Sequence, residues 1–209
     1  MKTTLLVRLL GCALVIFTAQ AHATYVWLDK EAGTVKAYLG QLHAKKEAVS
    51  ALVGARAYQA NGGRDLGLTP ETNSISISTP VSGDLRFTAR AANDKDGLQY
   101  YHARFGRSDT AAASDLELVP TTASGNVFRL LWKGSPVAAS QVSVSTGEGW
   151  SRTLKAESDG TVKLPVSFPG LYVLEVSVKV SGAITVDGKR YDEARHTATL
   201  SFIADSPSR

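Results

Sequence analysis

The run Leu171-Tyr172-Val173-Leu174-Glu175-Val176-Ser177-Val178-Lys179-Val180 restricts the fold more than any other feature of this chain. From Leu174 onward, apolar and polar residues alternate with period two. A β-strand turns successive side chains to opposite faces, so the pattern sends Leu174, Val176, Val178 and Val180 one way and Glu175, Ser177 and Lys179 the other. Pro169-Gly170 stands just before the run, where a turn belongs.

The same grammar repeats through the second half. Val127 to Trp132, Gln141 to Ser145, Trp150 to Ala156, Thr161 to Val166 and His196 to Ile203 all read as short strands. In the last, Thr197, Thr199 and Ser201 alternate with Ala198, Leu200 and Phe202. Lys133-Gly134-Ser135-Pro136, Thr146-Gly147-Glu148-Gly149 and Ser158-Asp159-Gly160 read as turns, and Val186-Asp187-Gly188-Lys189 as a hairpin tip. Short strands at this spacing predict an immunoglobulin-like sandwich, whose two sheets bury the Val, Leu and Phe positions between them.

The first half is less regular. Thr24 to Leu28, Thr34 to Leu39, Ser74 to Ser78, Asp84 to Arg90 and Leu98 to Phe105 read as strands. Lys45 to Tyr58 is Ala-rich, and Val49, Leu52, Val53 and Tyr58 fall near helical spacing, so a short helix is expected there. Asn93-Asp94-Lys95-Asp96-Gly97 opens like a calcium loop but has Arg104 at the twelfth position and no flanking helices, so it reads as a turn. The fold class expected is all-β: two packed β-sandwich subdomains, a β-rich unit over 22–118 and an immunoglobulin- or transthyretin-like unit over 119–205.

The N-terminus bears on location. Lys2 and Arg8 precede an apolar run from Leu9 to Phe17, followed by Ala19-Gln20-Ala21-His22-Ala23. This is the layout of a cleavable secretory signal, 1–21 or alternatively 1–23 according to which small-residue site is cut. The apolar run is too short for a membrane-spanning helix, which needs about 20 such residues. The expected destination is the periplasm. Cys12 lies within the apolar run, so a mature chain starting at His22 or Thr24 carries no disulfide, thiolate nucleophile or Cys metal ligand. The formal charge of +4 falls when Lys2 and Arg8 leave, and no basic run tracks a phosphate backbone, so nucleic acid is not an expected partner.

Three stretches carry a resemblance. They are His22-Ala23-Thr24-Tyr25-Val26-Trp27-Leu28, the segment Leu116-Glu117-Leu118-Val119-Pro120 followed by Trp132 to Val142, and Ser158-Asp159-Gly160 with Phe168-Pro169-Gly170-Leu171-Tyr172. Together these resemble the DUF4198 family, exported proteins related to periplasmic components of nickel and cobalt uptake. The resemblance implies an accessory or binding role in transition-metal uptake, without turnover. It implies a membrane transporter or TonB-dependent receptor system as partner. Ser140 stands near the family's usual Ala, and Ser158-Asp159-Gly160 replaces a longer turn.

The candidate chemistry rests on histidine. A cut after Ala21 would make His22 the N-terminal residue, with an α-amine of pKa about 7.7–8 beside its imidazole, a natural chelate for a divalent metal. His102, in Tyr100-Tyr101-His102, and His196, opening the last predicted strand, are the candidates to complete a site for nickel, cobalt or copper. A cut after Ala23 would remove His22. His43 lies beside Lys45 and Lys46, where positive charge repels a cation, and no role is expected for it. Serine-hydrolase elbows, zinc-protease helices and phosphate loops are absent from the sequence, and Glu117, Asp192 and Glu193 have no partner in sequence, so no enzymatic activity is expected. Tyr25, Trp27, Tyr100 and Tyr101 offer an aromatic surface, with Trp27 and one tyrosine expected in the core. The alternative to metal uptake is a metal-free structural or protein-interaction module of the envelope.

Overall fold

Strand periodicity governs almost the whole chain. A computed structural model describes residues 24–60, 64–78, 83–92, 97–137 and 141–205. The first seven strands are β1 (Tyr25–Glu31), β2 (Thr34–Gly40), β3 (Val53–Gln59), β4 (Leu68–Pro70), β5 (Ile75–Ile77), β6 (Leu85–Ala92) and β7 (Gly97–Phe105). The remainder are β8 (Leu116–Pro120), β9 (Val127–Trp132), β10 (Ser135–Pro136), β11 (Gln141–Thr146), β12 (Ser151–Lys155), β13 (Thr161–Lys163), β14 (Gly170–Val186) and β15 (Lys189–Ala204). Among the described residues no helix is long and apolar enough to cross a membrane.

The strands form three layers. The central sheet has the order β12-β11-β14-β15-β7-β6-β3. On one face lies a sheet of order β1-β2-β5-β4, and on the other a sheet built on β9, with β10, β13 and β8 paired to it. The chain is therefore all-β, as expected, and its two sandwiches share one sheet. The boundary placed at 118/119 falls inside β8. Strands from both halves meet at β7 and β15, which run parallel with Tyr100 opposite His196 and His102 opposite Ala198.

Alternation along the central strands feeds both cores. Phe87 and Ala89 on β6 and Tyr101 and Ala103 on β7 pack with Val26, Leu28, Ala37 and Ile77 of the first sheet. Leu174, Val176, Ala198, Leu200 and Phe202 pack with Leu118, Phe128, Leu130 and Val162 of the third. Trp27 and Tyr38 form a smaller cluster with Leu171 and Val173. Trp27 and Tyr101 are thus core, while Tyr25 and Tyr100 are half-buried.

The polar face of β15 is buried too. Thr197, Thr199 and Ser201 lie between layers, against the edge strand β1. An edge strand presents unpaired backbone groups, which cost free energy when buried without partners. The hydroxyls supply those partners: Thr199 donates to the Val26 carbonyl at 2.7 Å, and Leu28 N–H donates to Ser201 Oγ at 3.4 Å.

The helix expected over Lys45 to Tyr58 does not form. A single 3-10 turn, Val49–Ala51, is followed by strand β3, which pairs with β6. Gly54 takes φ +64°, outside the helical region, and Ala57 is buried against the N-terminal core while Val53 is exposed. Pairing with β6 outweighs the modest local propensity of an Ala-rich segment. The hairpin tip at Asp187-Gly188 does form, with both residues at positive φ (51° and 78°), as a tight hairpin turn requires.

Candidate functional site

Of the histidines singled out, His102 and His196 come together from β7 and β15. His102 Nε2 and His196 Nδ1 are 3.0 Å apart. The ring planes differ by 8° and the ring centres lie 5.3 Å apart, which exceeds the N···N distance by about the two ring radii. The rings therefore lie end to end in nearly one plane, one N–H facing the other ring's lone pair. This is a hydrogen bond between neutral imidazoles. Two coordinate bonds of about 2.1 Å each do not fit in line within that gap.

The pair sits in a buried, aromatic environment. The Tyr100 ring stacks on His196 with centres 4.5 Å apart, and Trp132 meets it at 90° and 4.7 Å. Burial pushes both imidazoles down to about 4, because desolvation penalises the charged form. For His196 the neighbouring His102 and Lys133 act in the same direction, and Asp115 opposes. His102 Nδ1 is buried without a hydrogen-bond partner among the described residues. His22 lies outside the described residues. Among the described residues, no group of three or more His, Cys, Asp or Glu side chains is placed to hold a metal ion.

Charge is buried elsewhere in a way the sequence does not advertise. Arg86 on β6 and Arg104 on β7 stand opposite each other in register, and both are fully buried. Both donate to Glu117 Oε1, Arg86 Nε at 3.1 Å and Arg104 Nη1 at 2.9 Å. Arg104 also pairs with Asp84, and Arg86 with Asp109. The backbone N–H groups of Ala113 and Ser114 donate to Glu117 Oε2 at 2.7 and 2.9 Å. Those of Ser108 and Asp109 donate to Asp84, each at 3.0 Å. Every bond of this network runs between residues 84 and 117, so it fastens the 106–115 connection to the rim of the central sheet. Alternating Arg86 and Arg104 among apolar residues reads in sequence as a solvated face. Only their position beneath β8 reveals the burial.

A cleft of about 470 Å³ opens where the first sheet stops short of β11, β12 and β14. Its sheet wall is laid out by register. Ser145 lies opposite both Ser151 and Val173, and Ser143 opposite both Thr153 and Glu175. The facing wall consists of Tyr25, Gln41, Leu42 and His43. Tyr25 OH accepts from Leu42 N–H at 3.0 Å, and burial raises its pKa, with Glu175 adding to the effect. Ser177 Oγ donates to Glu175 Oε1 at 2.8 Å. His43 Nε2 donates to the Thr146 carbonyl at 2.7 Å, which ties the 41–43 loop to the end of β11. His43, expected to have no role, thus shapes the cleft's rim. No protein-family model matches the chain, and no curated protein does.

Proposed function

We propose that this chain is a non-catalytic binding module of the bacterial envelope, exported by its N-terminal signal, with the cleft between the first sheet and β11-β12-β14 as its recognition site. The observation that supports this reading is the contrast between polar groups turned inward and polar groups turned to solvent. The guanidinium and carboxylate groups of the Arg86–Arg104–Glu117 cluster satisfy one another in the interior. The cleft brings the hydroxyls of Ser143, Ser145, Ser151 and Thr153 to one opening with Gln41, His43, Arg152 and Glu175. Its volume lies in the range of about 300–1,000 Å³ usual for small-molecule sites. The test is a thermal-shift survey of the mature protein with neutral saccharides, diamines and dicarboxylates, since a ligand held only by the folded state raises Tm. A concentration-dependent rise with perturbed Ser143, Ser145 and Glu175 amides supports the reading. A flat response to every class refutes it.

The nickel- and cobalt-uptake role implied by the DUF4198 resemblance is the second reading. One observation favours it: His102 and His196, 94 residues apart in sequence, meet at 3.0 Å, and the buried Nδ1 of His102 has no partner among the described residues. It requires the rings to swing apart and His22 to remain on the mature chain. Calorimetric titration with Ni²⁺ and Co²⁺, together with the intact mass of the exported protein, decides it. Submillimolar binding lost in His102→Ala supports the metal role, and a mature N-terminus at Thr24 or absent binding removes it.

A further inference from the structure

We infer that the ligand of the cleft is a neutral, polyhydroxylated molecule, a saccharide. The inference rests on the binding-module reading above and assigns the chemistry of that same site.

The sheet wall is a grid of small hydroxyls. Neighbouring strands lie about 4.8 Å apart, so Ser151 and Ser145 form one row and Thr153, Ser143 and Glu175 the next. A serine or threonine hydroxyl both donates and accepts, as does a sugar hydroxyl, so each row can join a ligand's hydroxyls in a continuous chain of hydrogen bonds. Ser143, Ser151 and Thr153 are exposed, so their side chains are reached without rearrangement. Gln41, with an amide that donates and accepts, stands on the facing wall.

The cleft is amphipathic in the manner of a pyranose ring. Tyr25 and Leu42 supply apolar surface. Tyr25 is half-buried with its hydroxyl engaged by the Leu42 N–H, which fixes the ring in place. Sugars carry C–H groups on a ring face and hydroxyls around the rim. One molecule can therefore lie on the tyrosine side and hydrogen-bond to the strand side.

Charge argues against an anionic ligand. Arg152 borders the cleft too, but it lies opposite Val144, which belongs to the C-terminal core, so register turns its side chain toward the other face of the sheet. The grid's own charged group is Glu175, which repels an anionic ligand. That carboxylate accepts from Ser177 Oγ at 2.8 Å, which holds it beside the grid.

The experiment is an amide-resolved NMR titration of the full mature chain with cellotriose, maltotriose and chitotriose. Parallel titrations use putrescine and succinate. The expected result is saturable shifts with at least one trisaccharide, centred on Tyr25, Leu42, Ser143, Ser145, Thr153 and Glu175. The Ser143→Ala/Thr153→Val variant changes two exposed side chains and should keep the parent Tm while weakening that binding at least tenfold. Affinity unchanged in the variant overturns the assignment of the grid. Cleft shifts with putrescine or succinate but no trisaccharide overturn the saccharide inference and leave the binding module standing. Silence from all five probes overturns both.

Discussion

Acidification should unfold this protein through two neutral imidazoles. His102 and His196 are held at about 4 in the folded state, against an ordinary value of about 6.5. At ~1.4 kcal/mol per pH unit, each ring accounts for about 3 kcal/mol, and the coupled pair for about 3–6 kcal/mol. The unfolded chain takes up these protons near pH 6.5, whereas the folded chain resists them until about pH 4. Between those values the unfolded state binds more protons, so stability falls as pH falls. The contribution is complete above about pH 6.5 and lost by about pH 4, with no further loss from this pair below that. Domains of this size are stable by ~5–15 kcal/mol, so the effect is a large fraction of the whole.

Urea unfolding read by tryptophan fluorescence at a series of pH values measures it, and Trp132 against His196 places a reporter at the pair. A His102→Leu/His196→Leu double variant serves as the control. Replacing both partners of a buried hydrogen bond with apolar groups is nearly neutral, so its stability at pH 7 should lie within about 1.5 kcal/mol of the parent. Its stability should also be flatter between pH 6.5 and 4. Parallel pH curves for parent and variant would show that the rings titrate normally, and the burial argument would be wrong.

Other consequences follow from the packing. Glu117→Gln should cost about 3–5 kcal/mol by chemical denaturation, because it leaves the fully buried Arg86 and Arg104 without their shared carboxylate. Gly106→Ala should destabilise by at least about 1–3 kcal/mol in the same assay. Gly106 sits at φ +102°, and a Cβ there would stand 2.3 Å from Asp84 Oδ1. Thr199→Val removes the donor to the buried Val26 carbonyl and should cost about 1–3 kcal/mol, with faster amide exchange along β1 than along β9. Phe87→Ala, at a fully buried site in the N-terminal core, should lower stability by about 3–5 kcal/mol.

Local chemistry made most strands legible. Val127–Trp132 is a strand over the range its composition marks, and Asp187-Gly188 turns the β14–β15 hairpin where two residues tolerant of positive φ stand together. The Lys45–Tyr58 segment misled because Ala-rich spacing is a weak helical signal that pairing with β6 overrides. The cleft was illegible for a related reason. Ser143, Ser145, Ser151 and Thr153 look in sequence like the wet side of ordinary amphipathic strands. They line a cleft only because the first sheet ends beside them. Glu117 had no visible partner because Arg86 lies 31 residues away and reaches it through tertiary packing.

Periodicity is a property of neighbouring residues, so sequence alone determined that this chain is built of strands and which of its side chains share a face. What lies on each face depends on contacts between distant residues, and only the tertiary structure decided that. It made the Thr197–Ser201 face an interior that caps β1, and merged two expected sandwiches into layers about one sheet. It also turned the two candidate metal ligands toward each other in a hydrogen bond.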